Sequence, residues 1–236
     1  MLKEFHNWLL NWKPIHLCRL FRWFGWPIPK YFIGGSQEPE LIQEYWVIGD
    51  DDNADPDLCT FDTTCVTRTN QAKLTNFMVR VQVANDGDAT STIAWQLYYN
   101  DSDDATSAVQ VGAELDGDAQ VDSSDGTPAN GAAVDDYDVV YDNTTNLDWI
   151  DGQYDEVDGE TGKLGLDSGQ YTDLQFCVKF TALAQDEQIY YFFLRHGDIE
   201  LDTYISSAKV STPAAPTGGP RGPFEQPFKG PFEGPI

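Results

Sequence analysis

Histidine is scarce in this chain, with three residues, His6, His16 and His196, among 236. A zinc tetrad or a histidine-based triad needs imidazoles beside further ligands or a nucleophile, and no grouping in the sequence supplies them. A phosphate-cradling glycine loop, a Gly-x-Ser-x-Gly elbow and a His-Glu-x-x-His pair are missing too. Carboxylates are so plentiful that spacing nominates no glycosidase pair. The expectation is a protein without catalytic residues. Positive charge is also short: 14 Lys and Arg stand against 39 Asp and Glu, a formal net charge of -25. Such a body repels nucleic acid and stays soluble. No uninterrupted apolar run is long enough to span a bilayer, and charges together with Pro14 interrupt what would be the apolar region of an export signal. Helical periodicity is absent from Ser36 to Ala214.

Strand periodicity takes its place. In "NFMVRVQVANDGDATSTIAWQLYYN", Phe77, Val79, Val81 and Val83 alternate with Met78, Arg80 and Gln82, and Ile93, Trp95, Leu97 and Tyr99 alternate with Ala94, Gln96 and Tyr98. The joint Asn85-Asp86-Gly87-Asp88 makes the unit a hairpin or a short cross-sheet connection. A first strand reads from Glu40 to Asp50. Further strands read in "YTDLQFCVKF", where Leu174, Phe176, Val178 and Phe180 alternate, in "QIYYFFLRH", and in "DTYISSAKVS". From Asp101 to Gly165 the chain turns Asp-, Gly- and Ser-rich, which predicts long loops with small strands near Ala108–Leu115 and Tyr137–Tyr141. The fold expectation is all-β: an antiparallel β-sandwich of immunoglobulin-like or jelly-roll type over 36–214, with an arm at each end.

The arms differ in chemistry. Residues 1–35 carry five Lys or Arg against Glu4, a charge of +4 that leaves -29 for the remainder. This basic arm holds four of the seven tryptophans, Trp8, Trp12, Trp23 and Trp26, and Phe5, Trp8, Leu9 and Trp12 fall at helical spacing before Pro14. So many indoles on so few residues call for a covering surface. Another subunit is the preferred cover, with a membrane surface touched by 1–33, or the chain's own sandwich, as alternatives. Residues 215–236 form a Pro/Gly/Phe tail in which Pro223-Phe224, Pro227-Phe228 and Pro231-Phe232 recur every four residues. It can be neither a helix nor a central strand. Near polyproline II, at about 3.1 Å per residue, successive phenylalanines stand roughly 12 Å apart on a semi-rigid ribbon suited to pockets of a neighbour.

Ligand candidates sit in the acidic runs. Asp51, Asn53, Asp55 and Asp57 offer alternating oxygens of the kind Ca²⁺ takes, with Asp62 at the twelfth position of an EF-like count, although Pro56 stands where that loop needs glycine. Asp151, Asp155 and Asp158 form a second such run. Cys59 and Cys65, in "CTFDTTC", are close enough for a local disulfide, or else are two buried thiols, while Cys177 in a strand reads as a small hydrophobe. Asn100 and Asn143 are glycan acceptors if the chain enters a glycosylating pathway.

The order "DDNADPD", "NFMVRVQVANDGDA", "WQLYYN", "GQYTDLQFCVKF", "LDTYISSAKV" resembles that of β-sandwich proteins encoded by tailed phages and environmental viruses. The likeness covers about Glu44 to Thr212. It implies a virion-associated, adhesion-like structural domain, localised on a virion or outside the cell, and partners that are copies of itself, other structural proteins of the assembly or host-surface glycans. The reading is a non-catalytic virion subunit (surface, decoration, tail or fibre) joined through its arms. The alternatives are a subunit of an extracellular filament built by strand donation, and a calcium-assisted glycan-binding module presenting Trp149 or Tyr154 to a sugar.

Overall fold

Alternation along the strands decides which side chains meet. The computed structural model describes residues 38–215 other than 54, 56–58, 113–116, 123–130, 136–146, 156 and 198, and every regular element among them is a strand. In chain order these are β1 (Leu41–Asp50), β2 (Asn76–Asn85), β3 (Ser91–Asn100), β4 (Val109–Gln110), β5 (Ala119–Val121), β6 (Ala133–Val134) and β7 (Asp148–Trp149). There follow β8 (Gly152–Asp155), β9 (Glu160–Leu166), β10 (Gln170–Phe180), β11 (Ile189–His196), β12 (Ile199–Glu200), β13 (Thr203–Tyr204) and β14 (Ala208–Ser211). The first sheet runs β13-β1-β2-β10-β8-β6, with β5 and β7 also on β10; the second runs β12-β11-β3-β4, with β14 also on β11 and β9 also on β3. All pairs of the second sheet are antiparallel, as are β1, β2 and β10 of the first, whereas β7 and β8 lie parallel to β10 and β13 parallel to β1. The joint after Asn85 is a cross-sheet connection, since β2 and β3 belong to different sheets.

The two sheets close on the residues that the two-residue period selects. Phe77, Val79, Val81 and Val83 of β2, Leu174, Phe176, Val178 and Phe180 of β10, Trp95, Leu97 and Tyr99 of β3, and Tyr190, Phe192 and Leu194 of β11 form one buried cluster. Phe180 is its aromatic centre, with ring centroids 5.2 Å from Phe77 and 4.9 Å from Tyr190. At about 25 cal/mol per Å² of apolar surface removed from water, this cluster is the main source of stability.

The first sheet is buried on its other face as well. There Arg80, wholly inaccessible, donates through Nε to Asp173 Oδ2 at 3.0 Å and through Nη2 to the carbonyl of Asp135 at 2.8 Å, and Gln82 Nε2 donates to Asp173 Oδ1 at 3.3 Å. Two charges removed from water are tolerable only when paired and hydrogen-bonded in this way. Around them Met78 and Cys177 pack under Cys59, Val134 and Tyr154, while Ala84 and Tyr171 pack under Leu147 and Trp149. Cys59 and Phe61, from the connection between β1 and β2, thus help to cover the outer face of this sheet.

Strict alternation from Leu41 would turn Trp46 away from the interior. A bulge between Gln43 and Trp46 resets the phase, so that Leu41, Trp46 and Ile48 all face the core. Gln43, fully buried, then works as a staple. Strand β14 accompanies β11 only as far as Phe192 and β12 takes over at Arg195, leaving a gap in the ladder. Gln43 Oε1 fills it by accepting the Leu194 amide at 2.8 Å, and its Nε2 donates to the Ser206 carbonyl at 2.9 Å. Trp46 Nε1 donates to Ser206 Oγ at 2.8 Å beside it. Truncating Gln43 to alanine leaves the buried Leu194 amide without its acceptor, so Gln43→Ala is expected to lower unfolding stability by about 1–3 kcal/mol, read as a shift of the urea midpoint at unchanged slope.

Candidate functional site

The acidic connection between β1 and β2 carries most of the ligand candidates, and its backbone is spent on closing the sandwich. The amides of Asp62 and Cys65 donate to the carbonyls of Ile48 and Trp46 at 2.8 and 2.9 Å, and the Asp50 amide donates to the Thr60 carbonyl at 2.8 Å. This lays 60–65 along the outer side of β1, with Phe61 bridged to Gly49. A Cβ on Gly49 would come within 2.6 Å of the Phe61 ring, so glycine is the residue that lets the ring lie there. β13 occupies the start of the same side at Ile42 and Gln43. A few residues later the connection crosses to the other sheet. The Arg68 amide donates to the Lys209 carbonyl at 3.1 Å, and the Ser211 and Gln71 amides donate to Arg68 and Ser211 carbonyls at 2.9 and 2.8 Å, covering the outer side of β14.

Arg68 pins this crossing. Its guanidinium donates to Asp62 Oδ2 at 2.6 Å, Asp50 Oδ1 at 2.8 Å and the Gly49 carbonyl at 3.0 Å. The two carboxylates hold its charge more firmly than usual, against the opposing effect of burial. One forked cation therefore ties the end of β1, the covering segment and the edge of β14 together in an otherwise anionic region.

The alternating oxygens proposed as calcium ligands do not converge. Asp51 Oδ2 accepts from Asn76 Nδ2 at 3.2 Å and lies 3.8 Å from Cys177 Sγ; Asn53 Oδ1 accepts the Asp55 amide at 3.0 Å; Asp57 lies outside the described residues. Asp52 takes the Thr60 amide and hydroxyl at 2.9 and 2.6 Å, bonds that hold its carboxyl below the usual carboxylate range. Among the described residues no group of three or more His, Cys, Asp or Glu is placed to hold a metal ion. These side chains cap turns instead. The expected Cys59–Cys65 disulfide is replaced by two thiols: Cys59 is buried under Val134 and Tyr154, where burial pushes it up to about 11, and Cys65 is exposed at φ 56° on the covering segment.

Asp151, Asp155 and Asp158 diverge similarly. Asp151 accepts Trp149 Nε1 at 3.3 Å and Asp158 the Glu160 amide at 3.2 Å. Asp155, wholly buried, accepts the Gly159 and Val157 amides at 2.8 and 3.5 Å and so closes the turn into β9. Gly159 has φ +73° and its missing Cβ would sit 2.1 Å from the Val111 carbonyl, so the turn admits no other residue. Tyr154 is fully buried and Trp149 packs edge-on against Tyr171 at 5.2 Å, so neither stands out as a sugar platform. The Asn100 amide is engaged by the Asp104 carbonyl and Ser107 Oγ at 2.7 and 2.8 Å; Asn143 lies outside the described residues, as do Trp8, Trp12, Trp23, Trp26, Phe224, Phe228 and Phe232.

Two clefts remain. One, of about 520 Å³, is lined by Asp50, Asp62 and Arg68; the other, of about 420 Å³, lies over the second sheet between Asp103, Asp104, Glu200, Tyr204 and Lys209. In the second, Asp103 is already shared by Ser207 Oγ at 2.6 Å and Lys209 at 3.5 Å. Neither assembles a nucleophile and base. No family model matches the chain, and no curated protein or solved structure is significantly similar to it.

Two outcomes follow from these geometries. Replacing Arg68 by alanine leaves Asp50 and Asp62 facing each other, with an expected loss of about 1–2 kcal/mol after discounting for solvent, and lysine, lacking the fork, recovers less than half of it in urea titrations. Burial raises the Asp155 carboxyl to about 6, so the folded state holds its proton more tightly than the unfolded one. That contribution favours folding below about pH 4 and is lost as pH rises towards 6. Stability of the intact chain relative to Asp155→Asn is expected to fall across that window, measured by paired denaturation curves.

Proposed function

We propose that this protein is a non-catalytic structural subunit whose sandwich is an inert spacer and whose terminal segments make the joints. The observation that carries the reading is the covering of the outer sides of β1 and β14 by the chain's own connection. A sandwich protected at those edges does not stack through them, which shifts assembly to the aromatic ends. The acidic shell adds mutual repulsion between bodies, and rings at the joints contribute about 25 cal/mol per Å² on burial.

The body's connectivity supports the immunoglobulin-like over the jelly-roll assignment. β1, β2 and β10 stand on one side and β9, β3, β11 and β14 on the other; along these seven strands alone the chain changes sheets after β2, β9 and β10, and the short strands add changes after β4, β8, β12 and β13. Trp95, buried on β3, takes the place of the core tryptophan on the third strand of such sandwiches. β8 departs from the pattern by running parallel to β10. A virion, with the chain as surface, decoration, tail or fibre protein, is the particle we favour, on the resemblance of its motif order to that of phage sandwich proteins. A filament built by strand donation is the second reading, favoured by the outer side of β9, where no described strand pairs.

Deleting residues 1–33 or 220–236 is expected to abolish particles or polymers in electron micrographs while leaving a folded monomer by circular dichroism. Unchanged assembly in both truncated chains would overturn the proposal.

A further inference from the structure

We propose that residues 222–234 of one copy add as an edge strand to the outer side of β9 in a second copy. This rests on the reading of the terminal segments as joints and names the joint. On the acceptor side, β1 and β14 are covered, and among the described residues no strand pairs with β9 on the side away from β3. β9 also carries two exposed glycines: at Gly162 a Cβ would meet Gln153 Oε1 at 3.0 Å, a cause within the chain, and Gly165 is the one without such a cause. A Cβ on Gly165 would meet nothing nearer than Thr92 Oγ1 at 3.8 Å, so the chain's own packing does not require glycine there. Glycine in a strand without such a cause marks a place where another backbone can approach and a ring can lie across it.

On the donor side the decisive feature is that the proline period is even. Pro223, Pro227, Pro231 and Pro235 are four residues apart, so in an extended chain all of them point to one side. The amides and carbonyls of Phe224, Gln226, Phe228, Gly230 and Phe232 then all point to the other, where they can pair with an edge. An odd period would put every second proline into the ladder, which lacks the N–H it needs. The same alternation sets the three phenylalanines on one face and the prolines with Glu225, Lys229 and Glu233 on the opposite face. Residues 216–236 hold Arg221 and Lys229 against Glu225 and Glu233 and are formally neutral, so the anionic body does not repel them. Phe224–Phe232 spans about 30 Å as a strand and the seven residues of β9 about 23 Å, a sufficient overlap.

The last described residue, Ala215, follows β14, on the opposite edge of the second sheet from β9, with β11 and β3 between them. To reach its own β9 the tail would have to double back across β11 and β3, roughly 14 Å at about 4.8 Å per strand, consuming most of 216–221, whereas the tail of a neighbour meets that edge directly.

The test uses the full-length chain and a change of phase. One alanine inserted between Gln226 and Pro227 moves Pro227 and Pro231 onto the pairing side; two alanines restore the phase with the same ring content. By sedimentation, the single insertion is expected to weaken self-association about tenfold or more and the double insertion to keep it within about threefold. Hydrogen exchange is expected to show β9 amides protected only in the associated protein. If the single insertion associates like the parent while deletion of 220–236 does not, the edge strand is wrong and the tail as joint survives. Should deletion of 220–236 change nothing, both fall. Protection of β9 in the dilute monomer that disappears with the tail would mean pairing within one chain and would also overturn the inference.

Discussion

A two-sheet sandwich must satisfy the backbone groups along its edges, and in this molecule the chain does so itself along β1 and β14. Segments 60–65 and 68–71 run from the outer side of β1 to the outer side of β14, held at the crossing by Arg68 between Asp50 and Asp62. Uncovered, those edges would present ordered rows of amides and carbonyls to any other strand. The acidic composition makes the same point from another direction. With so few cations available, Arg68 and Arg80 are spent where a single guanidinium can join several chain segments.

Covering the edges and covering the outer face of the first sheet are parts of one arrangement. The connection that shields β1 also delivers Cys59 and Phe61 onto Met78 and Cys177, and Arg80 lies 5.8 Å from the Phe61 ring centroid while bonded to Asp173. The first sheet is accordingly buried on both faces although its central strands read as half polar. Arg80, Gln82, Asp173 and Gln175 are polar residues of an interior layer rather than of a solvent face. The hydrogen bonds of Arg80 and Asp173 make that burial tolerable.

Sequence patterning located the strands whose inner face meets the opposite sheet: β2, β3 and β10 lie where Val79, Trp95 and Phe176 alternate with other residues, and β11 where "QIYYFFLRH" is apolar on both faces. It did not locate β9, because "ETGKLGL" has Gly162 and Gly165 in place of β-formers and exposes most of its side chains. The "DTYISSAKVS" stretch reads as one strand yet forms β13 and β14, since the side chain of Gln43 takes the position where the ladder would have continued. A bulge that re-aims Trp46 leaves no periodic trace. Alternating Asp51, Asn53 and Asp55 fit a metal loop and a series of capped turns equally well as a pattern, and only the folded backbone shows the turns. Arg68, in "VTRTNQAK", carries no pattern at all; its importance comes from three segments distant in sequence.

Native-state hydrogen exchange in rising denaturant tests most directly whether the connection is part of the cooperative unit. The amides of Asp62, Cys65, Arg68 and Gln71 are expected to exchange with the same opening free energy as those of Val79 and Val81 in the centre of β2. If those four exchanged through a local opening far below the global unfolding free energy, the edges of β1 and β14 would be intermittently bare, and the account of a sandwich sealed along those two edges would be contradicted.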